Sequence, residues 1–86
     1  MTKFIGTDTA YMIEWTQPAG YSPSEVLQQL PSPISRDMRE IYNYEVRSEG
    51  FYLIDRHVDP AVAGHAMKVF VDEALAHTPS VKIRRP

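Results

Sequence analysis

Apolar and polar residues alternate between positions 9 and 15, where Tyr11, Ile13 and Trp15 are interleaved with Ala10, Met12 and Glu14. A period of two places the sets on opposite faces of a half-buried strand. Phe4 and Ile5 add a short pairing piece before the Gly6-Thr7-Asp8 turn, and Thr16-Gln17-Pro18-Ala19-Gly20 ends the strand. Ser22-Pro23-Ser24-Glu25 then predicts a helix start. Ser22 accepts from the Glu25 amide, Glu25 reaches back to the Ser22 amide, and Pro23 takes the first helical position. Val26, Leu27 and Leu30 form the apolar side of about two turns, which Pro31 stops. Pro31 and Pro33 make the following stretch a loop of fixed shape.

The strongest local signal is a hairpin with arms over residues 39–47 and 51–58 and a turn at Ser48-Glu49-Gly50. A loop on Glu49-Gly50 alone pairs Tyr44 with Asp55 and Val46 with Leu53, mixing polar and apolar residues on both faces. A three-residue loop with Gly50 left-handed pairs Tyr44 with Ile54 and Val46 with Tyr52. It gathers Tyr42, Tyr44, Val46, Tyr52, Ile54 and Val58 on one face, so this register is the expectation. Arg56 is the exception on that face, lying at the sheet margin over Tyr42 with its stem packed and its head wet.

Asp59 caps a second helix and Pro60 opens it. At about 100° per residue, Ala63, Ala66, Met67, Phe70, Val71 and Ala74 fall in one stripe, with His65, Lys68 and Asp72 opposite. Gly64 costs about 1 kcal/mol relative to alanine there, and close backbone packing is its expected reason. The helix ends near His77, before Pro79, and Val81-Lys82-Ile83-Arg84 alternates as a short last strand.

The order is therefore β-α-β-β-α-β. Two split β-α-β halves sharing one antiparallel sheet describe an α+β sandwich of the ferredoxin-like kind. Right-handed crossovers put both helices on one face, and the expected strand order is 4-1-3-2. The tyrosine-bearing second strand and the basic fourth strand become the edges. Residues 1–86 are expected to form a single domain, since neither half could bury a core alone.

Composition narrows the chemistry. The 86 residues are 43% hydrophobic and 23% charged, ordinary for a globular chain. Without cysteine there is no disulfide framework, thiol nucleophile or thiolate metal site. A net charge of −2 weighs against bulk attraction to nucleic acid or anionic membrane. No apolar run reaches the roughly 18–20 residues of a membrane span, and the amino terminus has no long apolar stretch, so a cytoplasmic location is the expectation. Phosphate-binding glycine loops, dinucleotide fingerprints and nucleophile elbows are absent, and no cofactor is implied.

Three constellations remain. His57 and His65 fall on opposite sides of the sheet, which gives no metal set. Glu45 and Asp55 are expected as a diagonal pair on the helix-free face, about 7–8 Å apart, flanked by Arg47 and His57. Such a group could serve acid–base catalysis, but a set like this is more often a solvated polar face whose charges offset one another. Domains of this topology that bind RNA stack bases on aromatics of the open face; here Glu45 and Asp55 repel phosphate, and Lys82 and Arg84 also serve as edge protection.

The leading expectation is a non-enzymatic protein–protein interaction module, a homodimer or a small regulatory or inhibitory subunit. Its surface is Ile41, Phe51 and Leu53 interleaved with Asn43, Glu45, Asp55 and His57, helped by the free edge of the second strand. A small-molecule enzyme or ligand binder with its site at a dimer interface is the alternative, and nucleic-acid binding the third. The first needs Phe51 and Leu53 uncovered. The second needs a closed pocket containing Glu45, Asp55 or His57, and the third a continuous positive surface.

Overall fold

The computed structural model describes residues 8–86, so the Phe4–Ile5 pairing piece lies outside the described residues. The elements follow the expected order: β1 (Thr9–Glu14), α1 (Ser24–Leu27), β2 (Tyr42–Arg47), β3 (Gly50–Asp55), α2 (Pro60–His77) and β4 (Lys82–Arg84). The sheet is antiparallel with strand order β2-β3-β1-β4, which is the expected order read from the other edge. Val26 of α1 and Ala63, Ala66, Phe70 and Ala74 of α2 join Ile13, Phe51 and Leu53 in one core, so the two helices share a face. Among the described residues no helix is long and apolar enough to cross a membrane.

The α2 stripe is as the spacing predicts. Ala63, Ala66, Phe70 and Ala74 are buried, and Met67 and Val71 pack against them. Asp59 caps the helix by accepting from the Val62 amide at 3.3 Å. At the other end Thr78 donates its hydroxyl to the Ala74 carbonyl at 3.1 Å. Gly64 is the exception, because a Cβ there would meet nothing within 4 Å. Close packing therefore does not explain this glycine.

The hairpin is corrected by one residue. Arg47 pairs with Gly50, leaving Ser48-Glu49 as a two-residue loop; Tyr44 pairs with Leu53 and Val46 with Phe51. Gly50 was assigned to the turn, yet it is the first residue of β3 and faces Glu14 of β1. Its φ is +149°, and a Cβ there would stand 1.9 Å from the Ile13 carbonyl oxygen. Glycine is required by the β3–β1 seam, where the backbones approach too closely for any side chain.

This shift turns β3 over. Phe51 and Leu53 join Tyr42, Tyr44 and Val46 on the helix side, while Tyr52 and Ile54 face away. The burial of Phe51 and Leu53 explains the outcome. They carry no hydroxyl, and Phe51 stacks against Phe70 with centroids 4.5 Å apart. Arg56 moves with the strand. It is held on the far side of the sheet by Asp8 (3.1 Å), Glu40 (3.1 Å) and the Asn43 amide oxygen (2.7 Å), away from Tyr42.

The first helix is shorter than expected and lacks the capping box. Ser22 accepts from the Ser24 amide at 3.3 Å instead of from Glu25, so the hydroxyl is engaged two residues on and the helix starts at Ser24. After Leu27 the chain continues with i→i−3 bonds as far as Leu30.

Candidate functional site

The expected interaction surface divides between the two sides of the sheet. Ile41, Phe51 and Leu53 are 3%, 0% and 1% exposed and belong to the core, so they present nothing to a partner. Asn43 is half-buried and bonded to Arg56, while Glu45 is exposed and bonded to Arg47. Asp55 shares the helix-side alternation of Leu53, so it and Glu45 are on opposite faces and form no acid–base pair. Asp55 accepts from the His57 amide at 2.8 Å, and His57 takes a positive φ of 61° and bonds through Nε2 to Thr9 Oγ1 at 2.7 Å. This arrangement shapes the turn into α2. Among the described residues no group of three or more His, Asp or Glu could hold a metal ion.

The face away from the helices carries Ala10, Met12, Tyr52 and Ile54 between charged pairs. Met12 is buried even here, set in register between Tyr52 and Arg84. Arg47 lies 4.2 Å over the Tyr52 ring and is bonded to Glu45, which pushes its guanidinium above its ordinary pKa. Arg84 is bonded to Glu14 at 2.8 Å and Arg56 to Asp8 and Glu40. Each of these three arginines has a carboxylate partner, so among the described residues no continuous positive stripe runs across this face. Asn43, Tyr44, Glu45, Arg47, Tyr52 and Ile54 line an open depression of about 190 Å³ at its β2 margin.

The β2 edge has a defined polarity. The Arg56 amide donates to the Ile41 carbonyl at 3.0 Å, which fixes Ile41 and every second residue after it, Asn43, Glu45 and Arg47, as the ones bonded to β3. Tyr42, Tyr44 and Val46 therefore direct their N–H and C=O groups outward, and among the described residues those groups have no backbone partner. Tyr44 is 41% exposed at the middle of the strand, its ring 5.7 Å from that of Phe70. Neither proline nor lysine interrupts this edge.

A second feature was missed by sequence reasoning. Trp15 stacks on His77 (5.7 Å between centroids), Tyr21 meets both rings edge-on, and the Tyr21 hydroxyl donates to Glu73 Oε2 at 2.6 Å. His77 Nε2 lies 3.6 Å from the same oxygen. Burial, then the Glu73 hydrogen bond and charge, raise the Tyr21 pKa well above its ordinary value. Trp15 and Tyr21 also line an open cavity of about 1000 Å³ with Glu49, Ser80 and Lys82. The i,i+4 spacing of Glu73 and His77 was the available signal; their meeting with Tyr21, 52 residues away, is tertiary. Compared with known proteins, the chain matches no family model, and neither a curated protein nor a solved structure gives a match.

Proposed function

We propose that the chain is a non-enzymatic protein-interaction module, a ferredoxin-like α+β sandwich that receives a partner strand along β2. The observation that carries this reading is the outward row of backbone groups at Tyr42, Tyr44 and Val46 that have no backbone partner among the described residues, with the exposed Tyr44 ring beside it. Strand addition to such an edge draws affinity from main-chain bonds and specificity from adjacent side chains. With Phe51 and Leu53 buried, this reading rests on the sheet's edge and not on its face.

The test is a Tyr44→Lys variant, which places a charge in the centre of the edge without touching the bonds to β3. Wild type and variant are used as baits in an extract of the source cells, with circular dichroism as the check on folding. The variant is expected to fold and to lose the partners that the wild type retains. A folded variant that keeps every partner would overturn the edge reading.

The large end cavity favours a second reading, small-molecule binding within one chain. Amide shift mapping with a fragment set checks it: shifts clustered at Thr16, Ser48 and Ser80 support it, and shifts clustered elsewhere end it.

A further inference from the structure

We infer that the strand completing β2 is β2 of a second copy, antiparallel, with Tyr44 opposite Tyr44 of that copy; this rests on the edge reading above. A two-fold axis perpendicular to the sheet pairs each outward residue with another outward residue. It also keeps the helices of both copies on one side of a continuous sheet. Among the symmetric registers, the one centred on Tyr44 pairs Tyr42 with Val46 of the second copy at both ends. Every outward group of Tyr42, Tyr44 and Val46 then finds a partner.

The neighbouring registers do worse for stated reasons. Centring on Glu45 sets two carboxylates face to face, about 4.5 Å apart at Cα in a pair without hydrogen bonds. Centring on Val46 runs the ladder into the Ser48-Glu49 turn. Centring on Asn43 runs it past the start of β2 to Glu40, which is already bridged to Ile34.

Side chains complement the chosen register on both faces. On the helix side Tyr42, Tyr44 and Val46 form an uncharged row, and the half-exposed Tyr44 ring gains cover from its own copy. On the other side Asn43 meets Glu45 of the second copy. The Asn43 oxygen is taken by Arg56 at 2.7 Å, whereas its Nδ2 has only a 3.4 Å contact with Glu40. That amide donor is directed to a carboxylate, the acceptor it needs.

The chain contains no cysteine, so single-cysteine variants read the register directly. Tyr44→Cys places two thiols in an H-bonded pair about 5.5 Å apart at Cα, inside the range a disulfide spans. Asn43→Cys mixed with Glu45→Cys gives a closer pair across the axis. With oxidised glutathione, Tyr44→Cys alone and the Asn43→Cys/Glu45→Cys mixture are expected to give covalent dimers, and each of the latter variants alone to give no cross-link. Light scattering of the wild type at high micromolar concentration is expected to give twice the monomer mass, and Tyr44→Lys half of that. A wild type that stays monomeric, or cross-linking by Glu45→Cys alone, would overturn the inference. In the first case the extract experiment still decides whether the edge serves another protein.

Discussion

The two edges of the sheet are built differently. β4 is three residues long, is exposed throughout and carries Lys82 and Arg84. β2 is six residues long, and its helix-side row of Tyr42, Tyr44 and Val46 is uncharged. So short an edge resists pairing: few backbone bonds reward an added strand, which must also desolvate Lys82, Arg84 being paired with Glu14. The longer edge has no such defence: its two charges, Glu45 and Arg47, neutralise each other. One sheet thus carries one guarded margin and one receptive margin, and the difference teaches where to look for a partner.

The comparison breaks most severely if its common support is removed. Phe70 lies against Phe51 and beneath Tyr44. Phe70→Ala is expected to cost about 3–5 kcal/mol in a denaturant titration, with hydrogen exchange rising first in β2 and β3. Gly50→Ala attacks the seam that joins the receptive half to the guarded half. The added Cβ collides with the Ile13 carbonyl, and a loss of about 1–3 kcal/mol is expected by the same titration.

A pH scan sharpens the contrast at the other end of the molecule. Tyr21 has a folded-state pKa raised above its unfolded value, first by burial and then by Glu73. The stability this provides is fully present below pH about 10 and is lost as pH rises past that value toward the folded pKa. Tyr21→Phe should flatten the alkaline fall in melting temperature and leave association at β2 unchanged.

Gly64→Ala separates stability from association altogether. The site is open, so the variant is expected to gain up to about 1 kcal/mol in helix stability without changing the solution mass. The smallest effect is expected from Lys82→Thr, within about 0.5 kcal/mol. Unchanged light scattering would show that brevity alone guards β4; larger assemblies would assign the guard to the lysine.

Much of this arrangement was legible in the chain. The proline and aspartate signals bounded α2, the 3.6-residue spacing found its buried stripe, and strand alternation with topology rules produced the sheet order. The register of β3 was not legible because Gly50 was read as a turn residue. Its actual demand comes from Ile13, 37 positions earlier in sequence and adjacent only across the sheet. A loop on Ser48-Glu49 would have gathered Tyr44, Val46, Phe51 and Leu53 on one face, and that grouping was the available clue. The β2 edge was foreseen as an edge; that Tyr42, Tyr44 and Val46 are its outward residues follows from the Arg56–Ile41 bond. Helix α1 shows the local version of this limit: Ser22 had two amides within reach, and sequence does not say which one it takes.

The packing around Trp15 has a spectroscopic consequence. It is the chain's single tryptophan, 6% exposed, its indole Nε1 buried without a partner among the described residues and its ring stacked on His77. Indole emission from so buried a ring is blue-shifted relative to that of the unfolded chain, and it moves to the red when the chain unfolds. The fluorophore sits just past the end of β1, against Tyr21 and the last turn of α2. Its colour therefore follows folding and is expected to stay blind to the pairing proposed at Tyr44, giving an intrinsic optical channel in which the stability of the single chain is read separately from any association.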